Sequence, residues 1–125
     1  MQDPAPQASV FTALDWVGAA AAGFVGLALL AFPIAGRNFA AMYRSFGSRE
    51  SLPRLTLLAV SWWFPLALGV VVVAIVALAS GRRLSLPARR ACVLAAFVAG
   101  CAGVALCMIG AYLPIYELAG AVNAE

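Results

Sequence analysis

Few side chains in this sequence could do chemistry. Three cysteines, Cys92, Cys101 and Cys107, fall within one apolar run without CxxC spacing, and the chain has no His to partner them. Thiolates hold metals or attack substrates only with further ligands or a base beside them. These three therefore read as small apolar packing residues. Two carboxylates, Asp15 and Glu117, lie within apolar runs. An acid inside a membrane span is a functional hypothesis by default, but both sit near the ends of their runs, where an interfacial position is the plainer reading. There is no nucleophile–base pair, metal-ligand cluster or glycine loop of the phosphate-cradling kind. The sequence predicts no enzyme, no cofactor and no catalytic, cofactor-binding or metal-binding residue.

The surrounding elements explain this poverty. Of 125 residues, 65% are hydrophobic and 10% charged, whereas a soluble domain is about half apolar and about a quarter charged. The apolar residues form three runs, 14–34, 55–79 and 91–118. A bilayer-spanning helix needs about 20 apolar residues, and unpaired backbone polar groups are not tolerated in lipid. The expected fold is an all-α membrane protein with spans at about 14–34, 55–79 and 91–114. Residues 1–10 read as a flexible tail and 11–125 as one membrane domain. The N-terminal stretch lacks a basic segment, so no cleaved secretory signal is expected.

The net charge of +3 comes from eight arginines, with no lysine. Arg37, Arg44, Arg49 and Arg54 fall in the first connection, and Arg82, Arg83, Arg89 and Arg90 in the second. This is the pattern of membrane loops and not of a nucleic-acid partner. Four against four leaves the positive-inside rule tied. In the first connection Phe39, Met42, Tyr43 and Phe46 keep the spacing of one helical face, with Arg37 and Arg44 opposite. Gly47 is a plausible stop, and Ser51 before Leu52-Pro53 a plausible start for the next helix. A short amphipathic interfacial helix over about 37–47 follows, resting on lipid or docking a partner.

Within the spans, Gly18, Ala22 and Gly26 recur every fourth residue in the first. Ala99, Gly103, Cys107 and Ala111 do so in the third. Small residues at this spacing let helix backbones approach closely, so each span carries a candidate packing face. The second span is bulky and β-branched over residues 69–76, which suits lipid. Trp62 and Trp63 read as headgroup-level anchors, and Pro65 predicts a kink. Residues 66–79 alone would give about 21 Å of helix, too short to span. Either one kinked helix enters near Leu55, the favoured picture, or residues 53–64 lie obliquely in the interface.

Several of these segments resemble the membrane parts of the type II secretion system protein F and type IV pilus assembly protein C family. The resemblance rests on Phe32-Pro33, residues 39–43 (Phe-Ala-Ala-Met-Tyr), Phe46-Gly47, residues 52–56 (Leu-Pro-Arg-Leu-Thr) and residues 111–120, which begin Ala-Tyr-Leu-Pro-Ile. It covers about residues 25–80 and 105–122, without the large cytoplasmic domains of that family. The resemblance implies a bacterial inner membrane, the first connection and the C-terminus outside, and the N-terminus and second connection inside. The function expected is that of a helix-packing scaffold or assembly subunit, which the resemblance would make a reduced secretion or pilus platform, whose partners are the bilayer and other membrane helices in a self- or hetero-oligomer. Two alternatives stay open: an oligomeric small transporter or channel, and an accessory subunit of a larger membrane complex such as a respiratory one.

Overall fold

A computed structural model describes residues 10–45 and 53–123. Among these the chain folds into four helices, α1 (Ala13–Ser45), α2 (Arg54–Val60), α3 (Trp63–Ser80) and α4 (Leu86–Val122). Three of them, α1, α3 and α4, are long and apolar enough to cross a membrane. This is an all-helical chain of the integral membrane type. The helix α1 runs antiparallel to α3 and parallel to α4. Gly18 lies against Val93, Gly26 against Val72 and Val73, and Gly103 against Leu68 and Leu29.

The three long helices bury residues in steps of three and four. In α4 these include Arg89, Val93, Ala96, Gly100, Gly103, Cys107, Gly110 and Pro114. In α1 they are Ala19, Ala22, Gly26, Leu29, Gly36 and Tyr43, and in α3 Pro65, Gly69, Val72 and Ala79. Alternating steps of three and four average to the repeat of left-handed coiled-coil packing, so each helix holds one narrow seam toward the bundle axis. Leu29, Val72, Ala96 and Cys107 are the closed centre of that seam.

The helix ends depart from expectation in a consistent way. The interfacial helix foreseen at 37–47 is not separate: residues 37–45 continue α1 without a break, and residues 46–47 lie outside the described part. Pro33 sits within α1 and removes the hydrogen bond to the Leu29 carbonyl, a loss that a helix packed among neighbours absorbs. At 33 residues, α1 is about 50 Å long and exceeds the hydrocarbon by about 20 Å. Likewise α4 starts at Leu86 and not at 91, with Ser85 at the N-cap and Pro87 in the first turn. Helical conformation outlasts the hydrophobic run in both cases, because outside the hydrocarbon apolarity is no longer required of a helix.

The favoured single kinked helix over 55–79 gives way to two helices. The chain breaks at Ser61, which has ψ of 140° and caps α2 through its amide on the Leu57 and Leu58 carbonyls. Pro65 explains the position. Its ring would collide with the Ser61 carbonyl in a continuous helix, whereas in the first turn of α3 its missing N–H costs nothing. Nor does the second span merely face lipid: Gly69 and Val72 are buried, while Val70 and Val71 are exposed.

Candidate functional site

At one end of the bundle two consecutive arginines fasten three helices. Arg89 is only 5% exposed. Its Nε donates to the Ala79 carbonyl at 2.7 Å and its Nη2 to the Ser80 carbonyl at 3.2 Å. These are terminal carbonyls of α3, which lack partners within the helix and carry its negative dipole end. The same guanidinium lies 3.6 Å from the centroid of the Phe11 ring, a cation–π contact. Arg90, one residue on, points to α1. Its Nε and Nη2 donate to the two oxygens of Asp15 at 2.8 and 2.9 Å, the bidentate fork that Arg alone can offer.

Asp15 also completes the start of α1. It accepts from the Thr12 amide at 3.0 Å and hydroxyl at 2.9 Å, while its own amide donates to the Thr12 hydroxyl at 3.4 Å. Thr12 and Asp15 thus form a capping box. The acid singled out as a possible functional group holds a helix start and an inter-helix ion pair.

The opposite end gathers the last turns of α1, α2 and the last third of α4. Gly110 allows α2 to lie directly on α4, since a Cβ there would stand 2.6 Å from Ala59 Cβ and 3.0 Å from the Leu55 carbonyl. Tyr43 is buried and donates its hydroxyl to the Ala111 carbonyl. That carbonyl adjoins the one at Gly110, which Pro114 deprives of its amide partner. The Tyr43 ring stacks on Phe39, which meets Tyr112 edge to face at 5.6 Å. Tyr43→Phe is expected to lower stability by about 1 kcal/mol, the net value of one such bond, measured by denaturant titration of helicity in detergent.

The predicted positions therefore scatter. Of the proposed packing residues, Ala22, Gly26, Gly103, Cys107 and Ala111 are buried and Gly18 half-buried, all between helices of this chain. Ala99 is exposed, and Gly100 takes the inward position beside Val25. A strict spacing of four drifts around the helix, while the buried seam alternates four and three. Of the proposed partner surface, Arg37, Met42 and Arg44 are exposed, Phe39 is half-buried, and Tyr43 is turned inward against α4. Phe46 lies outside the described residues. Trp62 and Trp63 flank the α2–α3 break at 69% and 53% exposure. Comparison with family models, curated proteins and solved structures gives no match.

One concave site stands out. A cleft of about 570 Å³ opens between the last third of α1 and α2, lined by Arg37, Arg44, Thr56, Ser61 and Trp62 among others. Thr56 is fully buried, and its hydroxyl has no hydrogen-bond partner among the described residues. No group of three or more metal-ligating side chains occurs among the described residues.

Proposed function

We propose that the protein is a small non-catalytic membrane subunit, a scaffold or assembly component whose outer faces meet other membrane helices. One observation carries this reading. The polar side chains with defined long-range partners, Arg89, Arg90, Asp15 and Tyr43, all tie helices of this chain to one another. The bundle they fix presents large apolar side chains outward along each long helix, such as Phe24, Leu27, Val70, Leu94, Val98 and Ile109. The small residues of α1 and α4 serve packing within the chain, so lateral association would use these outer faces.

The resemblance to secretion and pilus platform proteins rests on the sequence segments alone; as part of this proposal it would make the chain a bacterial inner-membrane protein with the α3–α4 turn inside. A transporter reading finds less support, because the seam between the helices is filled by apolar side chains and Asp15 is engaged by Arg90 and Thr12.

The test is the mass of the protein purified in mild detergent. A defined oligomer or a co-purifying membrane protein is expected, with no solute flux after reconstitution in liposomes. A strict monomer without a partner would overturn the scaffold reading.

A further inference from the structure

We propose that the cleft between α1 and α2 binds the phosphate of an anionic phospholipid headgroup. Arg37 and Arg44 both line it. They are seven residues apart, so they stand on one side of α1 about 10 Å from each other along its axis. Neither forms an ion pair among the described residues. Guanidinium groups match phosphate oxygens with paired N–H donors, and such charge-assisted bonds are the strong ones.

Thr56 adds a second, independent observation. It lines the same cleft, is fully buried, and has an unpartnered hydroxyl. Buried hydroxyls without a partner are costly, and a headgroup oxygen that reaches this one through a small outward shift of the cleft wall would relieve it. The other hydroxyls here are engaged, Ser61 with the Leu58 carbonyl and Tyr43 with that of Ala111.

The cleft also lies at the right depth for a lipid. It forms where α1 outruns the hydrocarbon and where the exposed Trp62 edges the α2–α3 break, and Trp prefers the headgroup level. Leu57, Val60 and Pro33 line its remaining walls, offering apolar surface to the glycerol and first acyl carbons. Arg82 and Arg83, at the other end of the bundle, provide an internal contrast. They are exposed and border a pocket lined otherwise by Ala77, Leu78, Gly81 and Leu84, with no hydroxyl.

The experiment titrates the full chain in mild detergent with phosphatidylglycerol, phosphatidylcholine, glycerol 3-phosphate or inorganic phosphate. Thermal unfolding and native mass spectrometry report binding. Phosphatidylglycerol is expected to raise the unfolding temperature saturably and to persist as a one-lipid adduct. Phosphatidylcholine and both soluble phosphates should do neither. The double variant R37Q/R44Q should weaken apparent lipid affinity about tenfold or more, and Thr56→Val should weaken it several-fold. R82Q/R83Q should leave it unchanged. Equal losses in the two arginine pairs, or full retention in R37Q/R44Q, would overturn the proposal, since attraction would then be diffuse. Equal stabilisation by inorganic phosphate would overturn the lipid as occupant. Should R37Q/R44Q lose helicity, each single Gln variant carries the test, with the same loss expected and unchanged binding as the refuting result.

Discussion

Gly110→Ala is expected to destabilise the protein by about 2 kcal/mol, although it adds a single methyl group. The new Cβ would stand 2.6 Å from Ala59 Cβ and 3.0 Å from the Leu55 carbonyl oxygen. Neither can rotate away, because one is fixed to the backbone and the other is part of it. Relief requires α2 to lift from α4, and overpacking of this kind costs about 1–3 kcal/mol. Two companions sharpen the result. Ala59→Gly in the same chain removes the nearer obstacle and should restore part of the loss. Gly23→Ala has no atom within 4 Å of its new Cβ and should be neutral or slightly stabilising, as helix propensity favours Ala. Denaturant titration of helicity, with protease accessibility at residues 54–62, separates release of α2 from general unfolding. Equal effects at Gly110 and Gly23 would refute the close approach.

Arg89→Met should cost more, about 2–4 kcal/mol. The change keeps most of the stem but removes two charged hydrogen bonds to α3 carbonyls and the contact with Phe11. Bonds to charged groups contribute about 1.5–3 kcal/mol each at most, and a partly desolvated cation–π contact adds about 1–2. Water at the bundle end recovers part of this. Arg89→Lys should rescue poorly, since an ammonium lacks the rigid fork that reaches two carbonyls and lies flat on a ring. Arg90→Gln is expected to lose less, and in a salt-dependent way, because the Arg90 side chain is half exposed. The unfolding temperatures of the three variants in one detergent check the order. Arg90→Gln falling below Arg89→Met would refute it.

The three helices long and apolar enough to cross a membrane are legible in the sequence because hydrocarbon imposes a strict demand: about 20 apolar residues and a closed hydrogen-bond pattern. Their ends are not, because that demand stops at the headgroups while the helix does not. Hence Arg37–Ser45 belongs to α1 and Leu86–Arg90 to α4, against the apparent boundaries. Pro65 marked trouble in the second span, but only the choice of Ser61 for the bend turned a kink into a break. Nothing in the sequence marks Gly69 and Gly110 as contact points, since apolar sequence is full of glycine and only the partner helix reveals which ones touch. The spacing Thr12-Ala13-Leu14-Asp15 is that of a capping box, a signal that reading Asp15 as an interfacial acid leaves unused. The role of Arg89 has no such signal, for nothing in Arg82, Arg83, Arg89 and Arg90 distinguishes the one that turns inward. The cleft at Thr56 was equally hidden, because its two walls come from segments a connection apart.

Because Arg89 and Arg90 are adjacent yet address different helices, α4 is indexed about its own axis. Successive residues differ by about 100° around a helix, so one inserted or deleted residue between Arg90 and Val93 would swing both guanidiniums off target together, out of phase with the buried seam that begins at Val93. The turn at residues 81–84 and the cap that follows it can tolerate changes in length, whereas the stretch of α4 from the arginine pair to the seam cannot. Homologous chains that keep this architecture should accordingly vary before Arg89 and hold a constant count from the arginine pair to Val93.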